Sequence, residues 1–287
     1  MDFGLSPEQR LLVDTLRRYL EEEAPWGRVR DIMRRDTAHD PLLWQGLAAL
    51  GVPGVLVPAA YGGSGLALLD AVLIAETLAQ GALPVPFLGS AVLAPLALLA
   101  AGTPAPQQAW LPQLASGRAC IGVALAEQVG GREGAGMVLR DGRLFGKALF
   151  VLDAAAADAF LVATREGDLV LVPREAPGLR LTLLPTVDET RRLGELVCEA
   201  APADCLGSRG EGEAVIARLL AAAWLVLAAE ILGASERALD MAVAYAKERR
   251  QFGRPIGSFQ AVKHSVRRDG GGAGAGAFAS LVRRLRF

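Results

Sequence analysis

Apolar positions recur along this chain with three different periods. In "SPEQRLLVDTLRRYLEEE", Leu11, Leu12, Leu16 and Leu20 return at helical spacing behind Ser6 and Pro7, a pair suited to an N-cap and a first helical position. "DPLLWQGLAALG" predicts a second, short helix stopped by Gly51, and "VPAAYGGSG" predicts a turn. "LALLDAVLIAETLAQG", "SAVLAPLALLAAG" and "PQQAWLPQLASG" predict three more helices. From about Arg118 the texture becomes short β-rich runs: "ACIGVALAE", "GMVLRDGRLFGKALFV", "AFLVATREGDLVLVP" and "LRLTLLP". Asp-Gly and Gly-Asp pairs between them suit hairpin turns. From about Glu211 the helical period returns. Leu220, Trp224, Leu227, Ile231, Ala234, Ala238, Met241 and Tyr245 are spaced four and three residues apart by turns, the seam of a helix packed in a bundle.

The pattern therefore predicts an α+β chain: an N-terminal helical domain over residues 1–117, an antiparallel β-barrel or sandwich over 118–206, part of a C-terminal helical bundle over 207–264, and an irregular Gly/Arg-rich tail over 265–287. Composition agrees with a folded protein, since 52% of its 287 residues are hydrophobic and 21% charged. A net charge of −1 gives no electrostatic footprint for nucleic acid. The run from Thr77 to Gly117 carries no charge, but Pro84, Pro86, Pro95, Pro104, Pro106 and Pro112 cut it into pieces shorter than the ~20 apolar residues of a membrane span. Leu219–Ala229 is likewise uncharged, flanked by Arg218 and Glu230, and reads as a buried helix. The acidic, amphipathic start is unlike a signal peptide. Cys120, Cys198 and Cys205 have no CxxC spacing and read as reduced thiols in a cytoplasmic protein, and His39 and His264 are too isolated for a metal site.

Three stretches carry a resemblance: "VPAAYGGSGLALLDAVLIAETLAQG", "GKALFVLDAAAADAFLVAT" and above all "AYAKERRQFGRPIGSFQAVKH". Together with the helix–β–helix order they resemble the acyl-CoA dehydrogenase family of flavoproteins over residues 1 to about 264. The resemblance implies FAD, an acyl-CoA thioester substrate dehydrogenated between its α and β carbons, and an electron acceptor like electron-transfer flavoprotein. It also implies a homo-oligomer, or a heterotetramer with a second dehydrogenase-like subunit. "KALFVLDAAAADAFLV" is similar to bacterial members that work as two unlike subunits, including some that degrade steroid side chains.

Residue by residue, Arg249 falls on the family's arginine that reaches the FAD of a neighbouring subunit, and Gln251 and Phe252 follow in the same cofactor-contacting turn. A guanidinium fork suits pyrophosphate oxygens, although an arginine at a helix C-terminus is also favoured by the dipole alone. The chain departs from the family pattern at the flavin ring. Ala126, before Glu127, stands where a threonine is usual, and Phe150, Val151 and Leu152 stand where Trp, an aliphatic residue and a hydroxyl residue are usual. Phe150 and Leu152 also fit ordinary strand-core positions, and Glu127 fits a solvated strand end.

No catalytic carboxylate is visible. In one branch of the family the base lies on the first bundle helix, and that position falls near Ala223; Glu230 is the nearest acid inside the apolar stretch, where burial raises a carboxyl pKa. In the remaining branches the base lies on a later helix, beyond His264. There "SVRRDGGGAGAGAFASLVRRLRF" replaces helical grammar with glycine and arginine. It reads as a basic arm, a disordered end, or a frameshift in a GC-rich gene. Three functional readings follow: a FAD-dependent acyl-CoA dehydrogenase, a non-catalytic partner subunit sharing its neighbour's FAD, or an inactive truncated product.

Overall fold

The computed structural model describes residues 4–210 and 212–264; the tail and its frameshift reading lie outside the described residues. The order is α1 (Pro7–Glu23), α2 (Trp26–Met33), α3 (Pro41–Ala49), a 3-10 turn at Ala59–Tyr61, α4 (Leu68–Gln80), a π-helical segment Phe87–Leu93 running into α5 (Ala94–Ala101), and α6 (Pro104–Ala115). Then come β1 (Ile121–Ala124), α7 (Ala126–Val129), β2 (Gly136–Arg140), β3 (Arg143–Val151), β4 (Ala159–Ala163), β5 (Leu169–Pro173), β6 (Leu179–Leu183), β7 (Gly194–Pro202) and β8 (Asp204–Leu206). The chain continues with α8 (Glu213–Glu248) and a small hairpin of β9 (Arg250–Gln251) and β10 (Arg254–Pro255), and residues 260–264 are helical again. The predicted α+β class and helix–β–helix order are what is observed. Helix α2 and strands β7 and β8 were not separately predicted.

Local chemistry explains the element ends. Ser6 Oγ accepts from the Gln9 amide at 3.2 Å while Gln9 Oε1 accepts from the Ser6 amide at 3.1 Å, a reciprocal capping box. Asp40 caps α3 by accepting from Leu42 and Leu43. Asp141 and Gly142 both adopt positive φ, 48° and 70°, as a two-residue type I′ turn between β2 and β3 requires.

The chain divides into two compact units. One comprises Glu23–Ala71 and Pro84–Trp224. It contains two four-stranded sheets, ordered β1-β4-β5-β8 and β2-β3-β7-β6. Their inner faces share one core that includes Met137, Leu144, Val151, Phe160, Val172 and Leu196. The arrangement is a sandwich, with one departure from the antiparallel expectation: β1 and β4 run parallel, because the long β2–β3 excursion intervenes between them. The linker into α8 is fastened by Asp168, 1% exposed, which accepts from the Gly210 amide at 2.6 Å and faces Arg209 at 3.6 Å.

The other unit comprises Met1–Glu22, Val72–Leu83 and Leu225–Phe287, within the described range. Here α4 and α8 cross backbone to backbone. A Cβ on Gly233 would lie 1.9 Å from the Glu76 carbonyl oxygen, so only glycine allows this approach. Arg17 Nε donates to Gln80 Oε1, and Gln80 Nε2 donates to Glu236 Oε2, linking α1, α4 and α8. The Glu76 carboxyl is pushed above its usual range, first by burial and then by the Glu236 charge.

The buried stripe of α8 differs from the predicted seam. Ile216, Leu219, Ala222, Val226 and Ala229 are buried, whereas the seam residues Trp224, Ile231, Met241 and Tyr245 are exposed, Ile231 at 69%. The small residues pack inward because they let neighbouring chain come close. The large seam residues have no partner helix among the described residues.

Two measurements check this unit. Helix propensity alone makes Gly233→Ala a gain of ~1 kcal/mol, but the backbone collision costs about 1–3 kcal/mol or more. A net loss of up to about 2 kcal/mol in urea unfolding is expected, and a gain would refute the close crossing. For Glu76 the folded pKa lies above the unfolded 4.5, so the native state holds the proton more tightly and stability falls as pH rises from 4.5 through the folded value. Glu76→Gln should therefore raise the melting temperature at pH 7.5, with the gain shrinking below pH 4.5. Equal gains at both pH values would contradict it.

Candidate functional site

One candidate site is built where β3 changes sheet. Ala148 pairs with Leu196 and Val151 with Gly194, so Leu149 and Phe150 together face one residue of β7, a bulge. Immediately beyond, Leu152 leaves that sheet and exchanges two backbone hydrogen bonds with Val123 of β1, at 2.9 and 3.0 Å. The Glu127 carboxylate fixes the bulge by accepting from the Leu149 amide at 2.7 Å. Phe150 is thereby held at φ 55°, a left-handed conformation rare for an aromatic residue, with its ring 40% exposed. The Arg132 guanidinium lies over that ring, 4.7 Å from its centroid.

The neighbourhood is braced by side chains capping loose backbone. Asp153 Oδ2 accepts from the Gly89 amide, Ser90 Oγ accepts from the Ile121 amide, and Asp158 Oδ2 accepts from the Cys120 amide. Arg174 donates to the carbonyls of Ala154, Ala155 and Ala157, gathering the loop after Leu152. Burial pushes the Cys120 thiol up to about 12 and the Cys198 thiol up to about 11, so neither is a nucleophile at neutral pH.

A separate candidate site is the hairpin after α8. The Arg249 amide donates to the Tyr245 carbonyl and the Arg249 carbonyl accepts from Ile256, so backbone bonds hold the arginine at the hairpin base. Arg249, Gln251 and Phe252 are all exposed, Phe252 at 92% and at φ 52° in the turn. Its ring meets Phe259 edge to face at 6.1 Å, and the Arg254 guanidinium stacks on Phe259 at 4.2 Å. Arg249, Arg250 and Arg254 thus form an exposed cationic tip suited to an anionic ligand.

The sequence placed Arg249, Gln251 and Phe252 in one turn, and they lie together there. The reading of Phe150 as a core residue does not match its exposure. Glu127 is not a freely solvated strand end: the strand stops at Ala124, and Glu127 lies in the short α7 with its carboxylate engaged. Arg132 was not singled out, and only its glycine-flanked setting, "GGREG", set it apart in the sequence. Ala223 is buried and offers no base, and Glu230 is partly buried and engaged by a neighbour. Among the described residues no cluster of three or more His, Cys, Asp or Glu side chains is arranged for a metal ion.

Comparison with known proteins places this geometry. Residues 6–118 match the acyl-CoA dehydrogenase N-terminal domain and residues 210–268 match the acyl-CoA dehydrogenase C-terminal domain. The chain is 34% identical over 268 residues to acyl-CoA dehydrogenase IpdE2 of Mycolicibacterium smegmatis, covering 91% of this chain and 72% of that protein. The chain belongs to the acyl-CoA dehydrogenase family.

It is also 30% identical to mitochondrial isovaleryl-CoA dehydrogenase of Pongo abelii, over 90% of this chain and 66% of that protein. Among solved structures it is similar to the ChsE4-ChsE5 complex from Mycobacterium tuberculosis, with TM-score 0.84 and 31% identity over 93% of this chain and 74% of that one. It is also similar to a steroid ACAD variant of Tcur3481-Tcur3483, with TM-score 0.80 and 34% identity over 91% of this chain and 72% of that one. Members of the acyl-CoA dehydrogenase family are flavoproteins whose general cofactor is FAD. Helix α8 is long and apolar enough to cross a membrane by length and composition, but it falls inside the residues that match the acyl-CoA dehydrogenase C-terminal domain.

Glu127 supplies the test of this site. Replacing it with Ala removes one charge-assisted hydrogen bond, a loss of about 1–2 kcal/mol, and frees the bulge. Hydrogen exchange at the Leu149 amide should accelerate while the β2–β3 ladder keeps its protection. An unchanged Leu149 rate would show that the bulge stands without Glu127.

Proposed function

We propose that this chain binds FAD and takes part in the α,β-dehydrogenation of an acyl-CoA thioester. The observation that carries the reading is the exposed arginine hairpin, with Arg249 held by backbone bonds at its base and Gln251 and Phe252 beside it. Its donor set fits a pyrophosphate: guanidinium forks make paired bonds to phosphate oxygens without needing burial. Arg249 and Gln251 would hold the FAD of a neighbouring subunit, with Phe252 giving an apolar surface beside it. Ala126 and Leu152 carry no hydroxyl, and the Leu152 amide is bonded to Val123, so neither side chain nor that amide is a donor to the flavin ring. When bound, FAD accepts the hydride from the substrate β-carbon. The α-proton requires a carboxylate base, which Ala223 does not provide.

A second reading makes the chain one subunit of a heteromeric dehydrogenase, in which a second subunit carries the carboxylate. The ChsE4-ChsE5 complex, to which the chain is similar, consists of two differently named subunits. Branched and steroid-derived acyl-CoA thioesters are the substrates to try first, because relatives carry the names isovaleryl-CoA dehydrogenase and steroid ACAD. An acceptor of the electron-transfer flavoprotein kind and a cytoplasmic setting complete the proposal.

The test is expression of the chain alone and together with a second dehydrogenase-like subunit, reading flavin absorbance and dye-coupled acyl-CoA oxidation. Flavin and turnover with the chain alone support a self-sufficient enzyme. Flavin and turnover only in the mixture support the heteromer. In whichever sample holds flavin, Arg249→Gln should weaken FAD binding at least tenfold. No flavin in either sample, or flavin indifferent to Arg249, would overturn the proposal.

A further inference from the structure

The loop between α2 and α3 meets the β-sandwich through a cluster of charged side chains that the candidate sites do not use. Both pieces belong to the same compact unit. Arg192, in the loop between β6 and β7, donates to the Met33 carbonyl at 2.9 Å and reaches the Arg35 carbonyl at 3.5 Å. Asp40 accepts from the Leu42 and Leu43 amides with one oxygen and from Arg28 with the other, which also lies 3.6 Å from Arg35. Asp158, where the chain enters β4, accepts from the Cys120 amide at 2.8 Å, and its own amide donates to the Cys120 carbonyl at 2.8 Å.

His39 stands among these groups. The charges that face it are Asp40 beside it in the chain, Asp158 from the sandwich and Arg35 from the end of α2. It follows Ala38, which is held at a left-handed φ of 44°. The residue is half-buried, and its Nδ1 is buried with no hydrogen-bond partner among the described residues. A neutral imidazole tolerates that position, because an unprotonated ring nitrogen there is only an unused acceptor. A second proton does not fit. It adds a buried donor that has no acceptor, and a charge shut away from water. Asp40 and Asp158 attract that charge, but neither gives Nδ1 an oxygen to bond, and Arg35 repels it. Burial accordingly holds the His39 pKa below 6.5 against the pull of the two carboxylates.

We propose that His39 is a proton-sensitive latch: neutral, it lets the α2–α3 loop close on the sandwich, and protonated, it opens that junction to water. A closed state whose histidine titrates below the free value of 6.5 binds the proton less tightly than the open state. Closure is therefore strongest above 6.5 and weakens as pH falls through 6.5 towards the closed value. Cys120 leads directly into β1, whose Val123 holds Leu152 at the corner of β3, so the latch bears on the candidate site there.

The test uses the full chain, whose only two histidines are His39 and His264. Imidazole proton resonances are followed by NMR from pH 8 to pH 5, with His264→Gln leaving one signal to assign. Hydrogen exchange at the Arg35, Ala38 and Cys120 amides, corrected for its intrinsic pH dependence, reads the junction, with the β2–β3 ladder as reference. The His39 signal should titrate below 6.5. Protection at the three amides should fall about five- to tenfold between pH 7.5 and pH 5.5 while the ladder holds. His39→Gln, uncharged throughout, should keep level protection across that window. The first two readings need no change at position 39, so they stand even where His39→Gln does not fold. A His39 signal titrating at or above 6.5, steady protection in the parent chain, or an equal fall in the ladder or in His39→Gln would overturn the latch.

Discussion

The carboxylate of Glu127 on the Leu149 amide is a small interaction with a large reach. Strand β3 must serve two sheets: it pairs with β7 up to Ala148 and resumes at Val151, and one residue later Leu152 is bonded to Val123 in the other sheet. A regular strand cannot do both, because strict alternation would carry each side chain on to the same two faces. The extra residue at Leu149–Phe150 absorbs the change of direction, and it leaves the Leu149 amide outside the ladder. A half-buried amide without an acceptor would cost about 1–3 kcal/mol, and the acid at 127 supplies that acceptor. From that corner follow the left-handed Phe150, the stacked Arg132 and the bonded pair Val123–Leu152.

This also explains what the sequence revealed and what it hid. Helices with a cap and a clean period were legible: Ser6 with Pro7 and Asp40 with Pro41 do in the structure what their chemistry allows. The Asp141–Gly142 turn was legible for the same reason, since its positive φ values suit few other residues. The arginine hairpin was readable because its motif is local. The bulge was not, because nothing in "GKALFVLD" marks an extra residue; the bulge exists only in relation to β7, about fifty residues on. Strand β7 itself, "GELVCEAAP", alternates weakly and carries two acids, and its pairing with both β3 and β6 is a tertiary fact. Arg132 was hidden because its role depends on Phe150 being exposed, which the strand pattern argued against.

Helix α8 shows the same limit differently. The four-three spacing marked a helix, but a helix apolar on two faces gives two candidate stripes, and spacing cannot say which is covered by which neighbour. Small residues decide it here. Ala222, Ala229 and Gly233 allow close approach, and at Gly233 the α4 backbone comes so near that a methyl group has no room. The larger Trp224, Ile231, Met241 and Tyr245 need side-chain knobs from facing helices to fill the gaps between them. Among the described residues all four are exposed and form an apolar face along α8.

The two candidate sites differ in how they are made. The hairpin presents three exposed cations and an exposed phenyl ring on a short, locally determined turn; such a tip costs little to form and gains its value from what it meets. The β3 corner is a strained, internally pinned feature whose conformation is set before any ligand arrives. Preorganised groups lose little entropy on binding, whereas an exposed tip must be ordered by its target.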